Sequence, residues 1–166
     1  SVSRQLINEY RSELDRIIKV GGTLNEGTVR DAFQGLLKSW GRLHDLTYLS
    51  EHPMTTRKGN QIRVDGALVH EFRAPFGYWE AKDSRDDLEE EIRKKEAKGY
   101  PRTNIIYEDT RRAILIQDRQ RVAEADMANT DQLYTLMTKF FAYEQEAIRD
   151  FRKAIARFAQ DLPAIL

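Results

Sequence analysis

The chain contains no cysteine, which excludes a disulfide framework and any thiolate metal site. It carries no excess of charge of either sign, with 27 Lys and Arg against 27 Asp and Glu. Nothing global therefore draws it onto a polyanion, and contact with nucleic acid must come from a local basic face. No apolar run approaches the roughly 18 residues of a membrane span, and no secretory leader precedes the first periodic segment. GxxxxGK[ST], GxSxG and HExxH are all absent, and His44, His52 and His70 form no close cluster. Those absences exclude a P-loop motor, a nucleophile-elbow hydrolase and a zinc peptidase. The expectation is a soluble protein of the reducing cytoplasm with no membrane partner. A start at Ser1 without methionine and a stop at Ala164, Ile165 and Leu166 suggest a piece of a longer polypeptide.

What is present fits one sizeable core: 166 residues, 40% of them hydrophobic, with no internal repeat and no low-complexity linker. Leu6, Tyr10, Leu14 and Ile17 recur at helical spacing until Gly21 and Gly22. Asn25 caps a second helix whose buried stripe is Val29, Phe33, Leu36, Leu37 and Trp40, with Glu26 in its first turn. The period then changes to two. Strands are expected at 46–49, 62–69, 76–82, 103–109 and 112–118, with a polar loop at 52–60. Ser84 to Gly99 reads as a solvated charged helix between the third and fourth strands. From Leu133 through Met137, Phe140, Glu144, Ile148, Phe151 and Ile155 to Phe158, steps of three and four predict one long amphipathic helix. Its apolar stripe packs on the core of this domain or docks on a neighbouring one.

The fold class is α/β, an αβββαβ core with a central mixed sheet flanked by helices. The expected divisions are an N-terminal helix packed on the core (1–24), the core (25–120) and a C-terminal helical extension or connector (121–166).

Within the core, Gly77 to Asp83 reads GYWEAKD, and a strand there points Glu80 and Lys82 to one face and Trp79 and Ala81 to the other. If 62–69 and 76–82 form an antiparallel hairpin, Asp65 falls opposite Glu80, with carboxylates about 5 Å apart. Two such carboxylates destabilise a sheet unless a cation answers them. Mg²⁺ suits them, as a hard ion that takes oxygen ligands and keeps open positions for water and phosphate. Lys82 then supplies a compact cation that orients an attacking water or steadies developing charge. The competing account is a solvent-facing Glu80–Lys82 pair with Asp65 as a turn acid before Gly66. Arg57, Lys58, Arg63, Arg73 and Arg85 surround this region, either as phosphate contacts or as ordinary solvated surface.

The element order, with an aspartate on the second strand and ExK on the third, resembles the PD-(D/E)xK nuclease superfamily over about residues 25–117. The longer wording RVDGALV and GYWEAKDSRDDLEEEIRKKEAKGYPRTNIIYEDTRRAILIQ is similar to the Mrr-like nuclease domain at the N-terminus of Type ISP restriction-modification enzymes. The superfamily's Pro-Asp is Val64-Asp65 here. The resemblance implies a restriction-endonuclease-like fold and a Mg²⁺-dependent endonuclease that nicks double-stranded DNA, with Mn²⁺ as a substitute ion. It implies further domains in the same polypeptide, an ATP-driven translocase and an adenine methyltransferase. It makes Asp65, Glu80 and Lys82 catalytic, with Asp65, Glu80 and the Ala81 backbone carbonyl as metal ligands. Glu26 matches a glutamate that the family often adds from the preceding helix, its alternative being an acid that answers the helix dipole. Gln117 and Gln120 are candidate accessory residues, or else strand-end surface polars. Two rival functions stay open: an inactive nuclease-fold module that holds DNA or docks domains, and a stand-alone repair-type nuclease.

Overall fold

The computed structural model describes residues 1–162. Their elements are α1 (Val2–Gly21), α2 (Glu26–Leu43), β1 (Thr47–Thr55), β2 (Gln61–Val69), β3 (Pro75–Ala81), α3 (Leu88–Lys98), β4 (Asn104–Glu108), β5 (Arg112–Gln117), β6 (Gln120–Asp126), α4 (Thr130–Phe141) and α5 (Glu146–Asp161). The six strands make one sheet in sequence order, antiparallel throughout except for the parallel pair β3–β4. A parallel pair needs a crossover, and α3 supplies it, so α3 lies across one face of the sheet. No helix among the described residues is long and apolar enough to cross a membrane.

Alternation along the strands gives each face its own core. Trp79, Ile106 and Leu115 join Ile7, Phe33, Leu37, Trp40, Met137 and Phe140 on the side of α1, α2 and α4. Tyr78, Ile105, Tyr107 and Ile114 join Leu88, Ile92 and Tyr100 on the side of α3. Asn25 caps α2 as expected, accepting from the Thr28 N–H at 2.8 Å. Asp87, three residues after the expected start at Ser84, caps α3, its carboxylate accepting from the Glu89 and Glu90 N–H groups.

Three expectations need correction. The polar stretch after residue 51 continues β1 to Thr55, and its Pro53 is tolerated because β1 is an edge strand. Residues 120–126 are a sixth strand rather than the start of a helical extension; the last four residues of the expected 121–166 segment lie outside the described residues. The single long helix is two. The first buries Leu133, Leu136, Met137, Phe140 and Phe141, with Phe141 stacked on Trp40 at 5.4 Å. The Tyr143 hydroxyl donates to Asp118 Oδ1 at 2.7 Å and ties the chain to the end of β5, and a new helix starts at Glu146. That second helix buries no side chain, and Ile148, Phe151, Ile155 and Phe158 stand exposed.

Two buried positions show how tightly the helical side of the sheet is set. A Cβ at Gly77 would lie 2.6 Å from Phe140 Cζ and 2.8 Å from Asn104 Nδ2. Gly77→Ala is therefore expected to destabilise the fold by about 1–3 kcal/mol, read as a lower urea midpoint at unchanged m-value.

Glu108, fully buried, accepts from Trp79 Nε1 at 3.2 Å and from the Thr110 N–H at 2.5 Å. Burial nevertheless pushes its carboxyl from the ordinary 4.5 up to about 7. Folding thus favours the protonated form, and the contribution of this group is complete below pH 4.5 and lost as pH rises through 7. The stability advantage of wild type over Glu108→Gln is expected to shrink by about 2–3 kcal/mol between pH 5 and pH 8, measured by urea denaturation. A constant gap across that range would show that Glu108 titrates as an ordinary carboxylate.

Candidate functional site

The β2–β3 hairpin pairs Gly66 with Trp79 and Leu68 with Gly77, so Asp65 comes level with Glu80 as the alternation predicts. The two acids then clasp the opposite backbone. The Asp65 N–H donates to Glu80 Oε1 at 2.7 Å, and the Ala81 N–H donates to Asp65 Oδ2 at 2.8 Å. Each carboxylate is fixed by a donor that would otherwise serve the ladder, which answers part of the cost of placing two acids side by side. Glu80 is 2% exposed. Burial first, and then the Asp65 charge, raise its carboxyl above the usual range, against the pull of the Asp65 N–H, Lys95 and Lys82.

Two lysines face this pair. Lys82, two residues beyond Glu80, lies with Nζ 3.5 Å from Glu91 Oε2. Lys95 lies with Nζ 3.5 Å from Glu80 Oε2, 3.1 Å from the Tyr100 hydroxyl and 4.5 Å from the centre of the Tyr100 ring. Burial and the neighbouring Lys95 hold the Lys82 ammonium below its ordinary pKa. For Lys95 burial also lowers, but the Tyr100 hydroxyl and Glu80 outweigh it and the net shift is upward. Glu91 and Lys95 belong to α3, which the sequence pattern alone assigned wholly to solvent. Their signal was present: 88, 91, 92 and 95 share one helical face, and Leu88 and Ile92 are its buried anchors.

The remaining candidates divide. Glu26, in the first turn of α2, reaches the β3–α3 loop, where its Oε1 accepts from the Ser84 N–H at 2.8 Å and from the Ser84 hydroxyl. Among the described residues no three His, Cys, Asp or Glu side chains are grouped to hold one metal ion, so Glu26 does not join Asp65 and Glu80 in this conformation. Gln117 pairs with Asn104, three residues before the Tyr107 that pairs with Glu80. Its amide donates to Asn104 Oδ1 and to the Lys139 carbonyl, each at 3.0 Å. Gln120 sits opposite it in the β5–β6 turn. Both glutamines therefore belong to the far end of the sheet, away from the clasp, because strand register and not sequence order fixes their level.

Among the basic residues, Lys58 donates to the Ala97 carbonyl at the end of α3 at 3.0 Å, and Arg85 forks onto Asp83 with a closest contact of 2.8 Å. Arg63 is 3.9 Å from Glu51 on the exposed edge, and Arg73 stands in the β2–β3 turn at φ 63°. A cleft of about 760 Å³ gathers Arg57 and Lys58 with Arg102 and Arg119, which the sequence did not single out. Tyr78 and Tyr100 form part of its wall, and Glu96, Asp118 and Glu146 also line it, while Asp65, Glu80, Lys82 and Lys95 do not.

The donor set fits a divalent ion that prefers oxygen. Asp65 and Glu80 offer two carboxylates on one face, and the Ala81 carbonyl lies between Glu80 and Lys82 in the chain. The Tyr107 hydroxyl, on the strand beside Glu80, is buried without a hydrogen-bond partner. From the protein itself, Glu80 is answered by the Asp65 N–H and by the Lys95 ammonium at 3.5 Å.

No protein-family model matches the chain, and no curated protein does. Among solved structures it is similar to one described as the cryoEM structure of a DrdV–DNA complex, with a TM-score of 0.83 and 41% sequence identity. The match covers 95% of this chain and 16% of that chain, so the domain corresponds to a small part of a much larger protein. The chain has the α/β fold expected from its sequence, a mixed six-stranded sheet between helices of the restriction-endonuclease-like kind.

Proposed function

We propose that this domain is the Mg²⁺-dependent endonuclease of a restriction-modification enzyme, hydrolysing phosphodiester bonds of double-stranded DNA and nicking one strand per site. The observation that carries the reading is the Asp65–Glu80 clasp with Lys82 on the same strand two residues beyond Glu80. The likeness to a segment of a protein solved in complex with DNA supports it. In this reading the neighbouring domains are an ATP-driven translocase and an adenine methyltransferase, and the nuclease is of the Mrr-like type.

Asp65, Glu80 and the Ala81 carbonyl would hold the ion, with Mn²⁺ able to replace Mg²⁺. Bound there, it would polarise a phosphoryl oxygen and lower the pKa of a bound water. The clasp fixes the Asp65 and Glu80 carboxylates before any ligand arrives, so little reorganisation is left for the reaction. Lys82 presents a half-buried ammonium beside the pair, a compact cation suited to orient the attacking water or steady developing charge. Arg57, Lys58, Arg63 and Arg73 offer contacts to phosphates on either side. The chain carries no base-reading motif, so the choice of site rests with the rest of the enzyme. The exposed apolar stripe of α5 favours a second role, docking onto a neighbouring domain, which is compatible with cleavage.

The test is calorimetric titration with Mg²⁺ and Mn²⁺ alongside plasmid nicking, on wild type, Asp65→Ala, Glu80→Ala and Lys82→Ala. Metal binding is expected to vanish in the first two variants. Lys82→Ala is expected to retain the metal and lose nicking by at least about a hundredfold. A wild-type domain that binds neither ion in the millimolar range, even with DNA present, would leave a non-catalytic docking module as the better account.

A further inference from the structure

The cation against Glu80 is not the lysine of the ExK motif. Lys82 is turned towards Glu91, and it is Lys95, from the crossover helix, whose ammonium lies 3.5 Å from Glu80 Oε2. That position is built. Lys95 is 16% exposed at its side chain, its Nζ lies 3.1 Å from the Tyr100 hydroxyl, and the Tyr100 ring stacks beneath it at 4.5 Å. Tyr100 is itself buried at the end of α3. Glu80 Oε1 already accepts from the Asp65 N–H, so Oε2 is the oxygen left for a cation, and Lys95 faces it.

We propose that Lys95 is the resident counter-ion of the Asp65–Glu80 pair, and that a divalent ion binds by displacing its ammonium from Glu80. This rests on the metal-site reading given above and adds a coupling to it. A cation at 3.5 Å and a divalent ion on the same carboxylate repel each other, so Lys95 weakens metal binding in the free protein. A phosphodiester arriving at the site gives Lys95 another anion to pair with. DNA therefore strengthens metal binding, and by linkage the metal strengthens DNA binding by the same factor. Tyr100 holds the ammonium within reach of both anions. The outcome is a site that loads its metal when DNA is in place.

The coupling is tested by titrating Mn²⁺ calorimetrically into wild type, Lys95→Gln and Lys95→Arg, each with and without a short DNA duplex carrying non-hydrolysable phosphate linkages. Lys95→Gln is expected to bind Mn²⁺ about tenfold more tightly than wild type without DNA. The duplex should tighten Mn²⁺ binding to wild type and to the charge-preserving Lys95→Arg by a clearly larger factor than to Lys95→Gln, where only direct contact of phosphate with the ion remains. Mn²⁺ affinity that is equal or weaker in Lys95→Gln overturns this proposal and leaves the metal site standing. Absence of Mn²⁺ binding in every protein, with and without duplex, overturns the metal site and this proposal together. A measurement on wild type guards against a variant that fails to fold: on titration with diamagnetic Mg²⁺, the ¹³Cε resonance of Lys95 and the ¹³Cδ resonance of Glu80 should move with one midpoint. A Lys95 resonance that stays fixed while Glu80 shifts excludes displacement.

Discussion

A carboxylate inside a protein has to be answered by donors and cations, and Glu80 sets that demand for this molecule. Its position on β3 requires β2 to come into the register that offers the Asp65 N–H, and requires α3 to cross where Lys95 meets it. The parallel β3–β4 pair makes the crossover obligatory, and the two buried residues Leu88 and Ile92 set the rotation of α3. Sheet register, crossover and helix face therefore converge on one pair of acids. The same elements that close the core on this side also assemble the candidate site.

The sheet buries a second glutamate and treats it differently. Glu108 projects to the side of α1, α2 and α4, where an indole and a backbone amide donate to it and desolvation lifts its carboxyl to about 7. Glu80 is desolvated too, but it has the Lys95 ammonium beside the Asp65 N–H, a cation where Glu108 has an indole N–H. One face of a single strand layer thus carries a buried carboxylate with a lysine against it, and the other a buried carboxyl answered by an indole and a backbone amide. Alternation along β3 and β4 sorts them, since Glu80 and Glu108 lie on adjacent strands one register step apart.

The register of Asp65 against Glu80 was legible because it depends on alternation within two neighbouring strands, and both strands write that alternation plainly. The backbone clasp was not, since a side chain bonding across to the opposite N–H leaves no mark in residue spacing. Lys95 was hidden in a run of charges, EEEIRKKEAK, where only the pairing of 88 and 92 distinguishes the inward face from the outward one. Strand β6 escaped because QRVAEAD is an edge strand whose alternation, Ala123 and Ala125 against Glu124 and Asp126, is carried by alanine alone and is weak to read. The two C-terminal helices merged into one because both carry steps of three and four. At the break between them Tyr143 bonds to Asp118, a tertiary contact that residue spacing does not reveal. Interactions between neighbours in sequence were readable, and those made by the crossing of distant elements were not.

Helix α5 shares almost nothing with the folded body. It buries no side chain; Arg149 approaches Asp118 at 3.9 Å, and Arg152 pairs with Glu144 just before the helix begins. A helix of 16 residues in water is only marginally stable by itself. Its amide protons should therefore exchange on the timescale of the helix–coil transition, while those of β3 and β4 wait for global unfolding. Among the described residues, core packing places no constraint on the identity of Phe151 or Phe158, and a surface that meets them would place one.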